Sequence, residues 1–314
     1  MKSLRIGTRG SALALWQANH IKNKLAELHG VTAELVRIRT SGDHFQSASV
    51  AQIGAEFGAK GVFIKELEDA LLAGTVDLAV HSMKDVPTEI PRGLTFPAIT
   101  KREDPRDCLI SRDARKLAEL PPGAKIGTSS VRRQAQLRHY RADLQVLELR
   151  GNVDTRLRKV AAGEFDAIVL ALAGVTRLGA RERVTEILPA ELMLPAVGQG
   201  ALGIETREGD RDTSALVAAL NDAETRACVE AERALLHELE GGCQVPLGAW
   251  AQLEGGRLCL EACLLSPDGG EVLRDSKRGG AADSARIGQE LGRALKEAGG
   301  ARILQLAGRS VGLG

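Results

Sequence analysis

Aromatic residues are scarce: two Trp, one Tyr and five Phe among 314 residues. Any interior must therefore be assembled from Leu, Val, Ile and Ala, which a hydrophobic content of 44% allows. No apolar run is long enough to cross a bilayer, so no membrane-spanning segment is expected. An excess of one charge is missing too, because 42 Lys and Arg stand against 41 Asp and Glu. That balance argues against a general nucleic-acid or membrane-surface binder. The opening residues, Met1-Lys2-Ser3-Leu4-Arg5, hold no apolar stretch of the kind that directs export, and a cytoplasmic protein with reduced thiols is expected. The five cysteines (Cys108, Cys228, Cys243, Cys259, Cys263) include no Cys-x-x-Cys, and no paired histidines accompany them. A metal site is not expected.

What is present is an alternation of strand-like and helix-like segments over a length that implies two or three domains. Leu4 to Thr8 reads as a strand. Ser11 then caps a helix with apolar Leu13, Trp16, Ile21, Leu25 and Leu28, which Gly30 ends. Glu34 to Arg39 alternates like a strand, and Val62 to Ala73 reads as a helix. Thr40 to Gly61, polar and rich in glycine, reads as a long functional loop. Val76 to Val80 is a buried strand, and Pro87 to Pro105, with four prolines, reads as a crossover. A second series follows: strand Ala124 to Gly127, helix Val131 to Tyr140, strand Gln145 to Leu149, helix Val153 to Ala162, strand Ala167 to Ala171. Such alternation implies mainly parallel sheets. Ile6-Gly7-Thr8 and Ile126-Gly127-Thr128 each open a series, a hint of two related lobes facing one another across a cleft. Leu194 to Glu205 reads as a Pro/Gly-rich return between them. A long helix from Asp222 to Leu239, strands near Gly248 to Leu253 and Leu258 to Leu265, and a helix near Asp283 to Ala298 suit a third domain. The expected division is residues 1–100 with 200–219, residues 101–199, and residues 220–314.

Three places carry candidate chemistry. The strand ending at Val80 runs into His81-Ser82-Met83-Lys84-Asp85-Val86-Pro87, and ligands gather at the carboxyl ends of strands in open α/β sheets. A fixed carboxylate there, Asp85 beside Lys84, suits a cationic intermediate or a proton transfer. Between Lys125 and Val160, nine Lys or Arg stand against three acids, a net of +6. Arg132 and Arg133 fall in the first turn of a helix, where the macrodipole opposes cations. With the hydroxyls of Thr128, Ser129 and Ser130 beside them, that arrangement points to a bound carboxylate or phosphate. Arg150 and Arg156 flank Gly151-Asn152 at a second strand-to-helix turn, with the same logic. Cys243 follows two glycines at a helix end, a position from which a thiolate can form a covalent bond to a ligand.

Long runs of this sequence resemble the porphobilinogen deaminase family. They include Thr8-Arg9 with Ser11 to Gln17, Lys60-Gly61-Val62-Phe63, His81 to Pro87, and Arg102 to Asp107. They continue with Gly127 to Gln134, Leu149 to Val153, Thr155-Arg156-Leu157, Leu194 to Ala201, and Leu239 to Pro246. The resemblance implies an α/β fold of two periplasmic-binding-protein-like lobes with mixed, mainly parallel sheets, plus a smaller α+β C-terminal domain. It implies a transferase of porphyrin and heme biosynthesis that joins four porphobilinogen molecules head to tail, releases ammonia each time, and frees a linear tetrapyrrole by hydrolysis. Its primer would be a dipyrromethane cofactor, held by a thioether to Cys243. Asp85 would be the catalytic carboxylate. Lys84, Arg132, Arg133, Thr128, Ser129 and Ser130 would hold the cofactor. Arg9, Ser11, Lys60, Phe63, Arg150, Asn152, Arg156 and Gln199 would bind substrate. The expected partner is the small-molecule substrate alone, with a monomeric protein.

The loop departs from the family pattern. Gln52 stands where the family has a lysine, and four residues at Ala55 to Gly58 are inserted. Two other classes compete. A two-lobed anion-binding protein without catalysis gives Cys243 no task. A cysteine hydrolase needs a histidine oriented on the thiol, and none of His81, His139 and His237 lies in such a motif.

Overall fold

The structure is a computed structural model that describes residues 3–40, 64–240 and 245–311. The elements begin with β1 (Leu4–Thr8), α1 (Ala12–His29), β2 (Ala33–Arg37), α2 (Lys65–Leu72), β3 (Leu78–Ser82) and β4 (Leu94–Ile99). Next come β5 (Asp107–Ser111), β6 (Lys125–Gly127), α3 (Val131–Tyr140), β7 (Gln145–Leu147), α4 (Val153–Ala161) and β8 (Ala167–Ala171). After them run α5 (Leu172–Arg177), β9 (Glu186–Ile187), β10 (Leu202–Arg207), α6 (Arg211–Ala218) and α7 (Ala223–Glu238). The chain closes with β11 (Leu247–Glu254), β12 (Arg257–Leu265), β13 (Val272–Gly280), α8 (Ser284–Leu295) and α9 (Ala301–Val311). It divides into two units, residues 1–103 with 201–226, and residues 104–200 with 227–314.

The first unit is built on a five-stranded sheet ordered β2-β1-β3-β10-β4. Strands β1, β2 and β3 are parallel, and β10 runs against both its neighbours. Helix α1 forms where its sequence signals place it: Ser11 Oγ accepts the Ala14 N–H, and Gly30 takes the left-handed conformation at φ 63°. Its Ile21 and Leu25 bury against Ile6, Leu78, Val80 and Ile204, each such side chain contributing about 1.5–3 kcal/mol. Leu28, expected on that face, is exposed. On the opposite face Leu67 and Leu71 of α2 pack on Val76 and Ala79.

The second unit contains a sheet of the same plan, β7-β6-β8-β5-β9, again three parallel strands, one reversed strand and an edge. The echo between the two opening motifs is thus a shared topology, and the architecture is the mixed α/β kind expected. This unit also holds the antiparallel sheet β11-β12-β13, with Leu247 and Leu260 packed against Leu235 of α7 and Ile287 and Leu291 of α8.

Two connections read as loops contain strands. Within Pro87 to Pro105 lies β4, which tolerates Pro97 because it is an edge strand paired only with β10, with a register slip between Ile204 and Thr206 opposite the proline. Within Leu194 to Glu205, β10 begins at Leu202. Strand β13 was masked by its charged, largely exposed residues.

Candidate active site

In the first unit, β3 ends at Ser82 and the chain turns through Met83–Asp85, one 3-10 turn closed by the Val86 N–H on the Met83 carbonyl at 3.3 Å. Met83 anchors the turn: it is buried, and its N–H donates to the Ala201 carbonyl at 3.0 Å. Gly203 makes room for it, since a Cβ there would overlap Met83 Sδ. The turn thereby holds Asp85 exposed at a cavity of about 80 Å³ whose wall includes Arg9, Ser11, Gln17, His81 and Ser82. Gln17 Nε2 donates to Ser82 Oγ at 2.9 Å, tying α1 to the end of β3. Lys84 is half-buried in the same turn. Asp85, Lys84, Arg9 and Ser11 are therefore brought together, as the sequence suggested.

Beneath them lies a pair the sequence did not reveal. His81 Nε2 lies 3.0 Å from Glu205 Oε2, both side chains almost wholly buried. Nearby on α2, burial, then the Glu205 charge, push the Glu68 carboxyl up to about 7, with His81 opposing.

In the second unit, β6 delivers Gly127, where a Cβ would press on Leu149 and Phe165, and the chain enters α3 through Thr128-Ser129-Ser130. The hydroxyls are engaged locally. Thr128 Oγ1 accepts the Ser130 N–H, Ser129 Oγ donates to the Leu149 carbonyl at 2.8 Å, and Ser130 caps α3 through the Arg133 N–H. Arg132 and Arg133 are both buried, and between them lies Asp107 from β5. Arg132 Nη1 donates to Asp107 Oδ2 at 2.7 Å and to the Leu194 carbonyl at 2.6 Å. Arg133 Nη2 donates to Asp107 Oδ1 at 2.8 Å, and its Nη1 to the Val169 carbonyl at 3.0 Å. Gln199 braces the same carboxylate, its Nε2 lying 2.8 Å from Asp107 Oδ1 and 2.6 Å from the Pro105 carbonyl. Burial opposes ionisation of Asp107, but the two guanidiniums outweigh it and hold the carboxyl far below its usual range.

One acid thus serves two buried cations, and Arg132 Nε and Arg133 Nε are buried without a hydrogen-bond partner among the described residues. A net positive, incompletely satisfied cluster is suited to a second anion. Arg156 adds to it: its Nε donates to the Gly151 carbonyl at 2.7 Å, and burial, then Arg133, push its guanidinium down to about 10. Arg150 is paired with Glu148 at 2.7 Å, and Asn152 stands at the N-cap of α4 without a side-chain capping bond. Asp107 was missed because charge was counted along one segment, whereas β5 supplies the acid from outside it. Lys60, Phe63, Cys243, Gln52 and the insertion at residues 55–58 lie outside the described residues. Among the described residues, no cluster of His, Cys, Asp and Glu suits a metal ion.

One α/β unit thus holds an exposed acid at a small cavity, and the other holds two buried arginines on one buried acid. Comparison with known proteins makes the class specific. A family model described as porphobilinogen deaminase, dipyromethane cofactor binding domain, matches residues 4–215, and one described as porphobilinogen deaminase, C-terminal domain, matches residues 226–297. A porphobilinogen deaminase of Syntrophobacter fumaroxidans is 50% identical over 303 residues, covering 96% of this chain and 97% of that protein. One of Trichlorobacter lovleyi is 51% identical over 305 residues, covering 97% and 96%. Among solved structures, a periplasmic substrate-binding protein of an ABC transporter from Coxiella burnetii is similar at a TM-score of 0.42 and 15% identity, over 69% of this chain and 91% of that one. The chain belongs to the porphobilinogen deaminase family. It is by that membership a transferase with a dipyrromethane cofactor-binding domain.

Proposed function

We propose that the chain is a hydroxymethylbilane synthase, condensing four porphobilinogen molecules head to tail onto a dipyrromethane primer and releasing the linear tetrapyrrole by hydrolysis. The observation that carries this reading is Asp85, held by a buried anchor at a cavity that also presents Arg9 and Ser11, in a chain similar to the family over nearly its whole length. When bound, the dipyrromethane supplies the pyrrole carbon from which the chain grows. The donor set fits it, because each pyrrole carries two carboxylates and the orphaned Nε atoms of Arg132 and Arg133 offer unmet hydrogen bonds to anions. Its tether in this reading is a thioether to Cys243.

The residues divide the work. Arg132, Arg133, Lys84, Thr128, Ser129 and Ser130 hold the primer; Arg9, Ser11, Lys60, Phe63, Arg150, Asn152, Arg156 and Gln199 hold the substrate. Asp85 stabilises positive charge that develops as ammonia leaves, the kind of electrostatic effect worth about 10²- to 10³-fold in rate. We further propose a monomer acting in the cytoplasm, without nucleic-acid or membrane partners; no helix among the described residues is long and apolar enough to cross a membrane.

The test is stoichiometry. Purified protein given porphobilinogen should release four ammonia molecules for each linear tetrapyrrole formed. Binding of porphobilinogen with no ammonia release would instead mark a non-catalytic anion binder.

A further inference from the structure

Glu205 is a buried carboxylate with one oxygen satisfied and one not. Its Oε2 lies 3.0 Å from His81 Nε2, while Oε1 has no hydrogen-bond partner among the described residues. A purely structural ion pair in an interior normally satisfies both oxygens, and an orphan of this kind calls for an explanation. The pairing is fixed by the sheet. Gly203 is the register partner of His81 in the antiparallel β3–β10 pair, so Glu205, two residues on, is its diagonal neighbour on the same face. Phe96 of β4 closes the ring edge-on at 6.0 Å. In the tautomer that donates Nε2–H to Glu205, the remaining ring nitrogen is Nδ1, which makes no hydrogen bond among the described residues. His81 itself lines the cavity that Asp85 overlooks.

We propose that His81 and Glu205 form a proton-holding pair that serves Asp85, with Nδ1 exchanging protons with the carboxylate through water in the cavity. This rests on the reading of Asp85 as the reaction's carboxylate. In each addition the C–N bond of the aminomethyl group breaks with its electron pair on nitrogen, and ammonia leaves. The receiving pyrrole carbon forms the new C–C bond and then loses its own proton. That proton goes to Asp85, from Asp85 to His81, and from His81 to solvent, where the released ammonia takes up a proton, so both groups return to their starting states. An imidazole titrates near neutrality, which suits it to unload a carboxylate between successive additions. Glu205 holds one tautomer in place and offsets the imidazolium when it forms. His81 is on this account a positioning residue, since it acts through Asp85.

The charged groups around the ring are Glu205 on β10, Glu68 on α2, and Asp85 with Arg9 at the cavity. Titrating the His81 ring nitrogens by ¹⁵N NMR in the full-length protein, and in Asp85→Asn, tests the link without touching the buried pair. Nε2 should remain protonated whatever the state of Nδ1, and the Nδ1 midpoint should be lower in Asp85→Asn than in the wild type, because losing a nearby anion disfavours the imidazolium. An unmoved midpoint overturns the proposal. In turnover, His81→Gln should lower kcat by about 10²-fold, the lower end for positioned proton transfer, and displace its pH profile with KM for porphobilinogen unchanged. A pH profile that superimposes on the wild type also overturns it. Near-normal turnover in Asp85→Asn would instead sink the reading of Asp85 itself, so the two failures are distinguishable.

Discussion

Asp107 shows what single residues contribute here. A carboxylate with no measurable exposure accepts from Arg132, Arg133 and Gln199, and neither guanidinium has another acidic partner as close among the described residues. Removing one member of a buried ionic cluster leaves the others uncompensated, which typically costs about 3–5 kcal/mol. Asp107→Asn should therefore lose stability of that order in urea unfolding. Asp85→Asn should leave unfolding unchanged, because Asp85 is exposed, and lose turnover. Glu68 gives a pH signature. Its carboxyl is raised in the folded protein from about 4.5 to about 7, so the native state binds more protons than the unfolded state across that window. Stability from this group is greatest below the lower value and falls as pH rises to the upper one. Glu68→Gln should flatten that slope and stabilise the protein above neutral pH by about 1 kcal/mol, after discounting for partial solvent screening. Thermal melts at several pH values check it.

At the scale of elements, the turn bearing Asp85 depends on a close approach. A side chain at Gly203 would overlap Met83 Sδ and press on Phe96, so Gly203→Val should displace the turn. Turnover should fall more than stability, by about tenfold or more for a small misplacement, as kcat and melting temperature on one sample will report. Elements were legible in the sequence wherever local chemistry suffices. Ser11 and Gly30 bound α1, Ser130 caps α3, and β8 spans the expected residues. They were illegible where tertiary context overrides propensity. Pro97 belongs to a strand because β4 has only one neighbour to bond, and β10 is a strand despite Gly203 because the sheet receives it there. The candidate site divides in the same way. Asp85, Lys84, Arg9 and Ser11 converge because each lies at the end of an element whose signals are local. Asp107 and Glu205 reach their partners across sheet pairings formed far apart in sequence, which no segment-wise count detects.

For the whole molecule, near-neutral total charge hides a deliberate unevenness. The second unit buries two cations against one acid, and the Arg156 guanidinium is pushed down to about 10 by burial first and then by Arg133. Such a cluster suits a chain that carries a carboxylate pair on every pyrrole. We propose that residues 220–314 form a domain of their own that bears the tether. Residues 1–100 with 200–219 then supply the acid, and residues 101–199 the arginine clamp. The central claim is that a permanently attached, polyanionic primer belongs to the working protein. Intact mass spectrometry of the purified chain, followed by peptide mapping, tests it most directly. The account predicts a mass above that of the 314-residue sequence by two pyrrole units, carried on the peptide containing Cys243. An unmodified mass in a fully active preparation would contradict it.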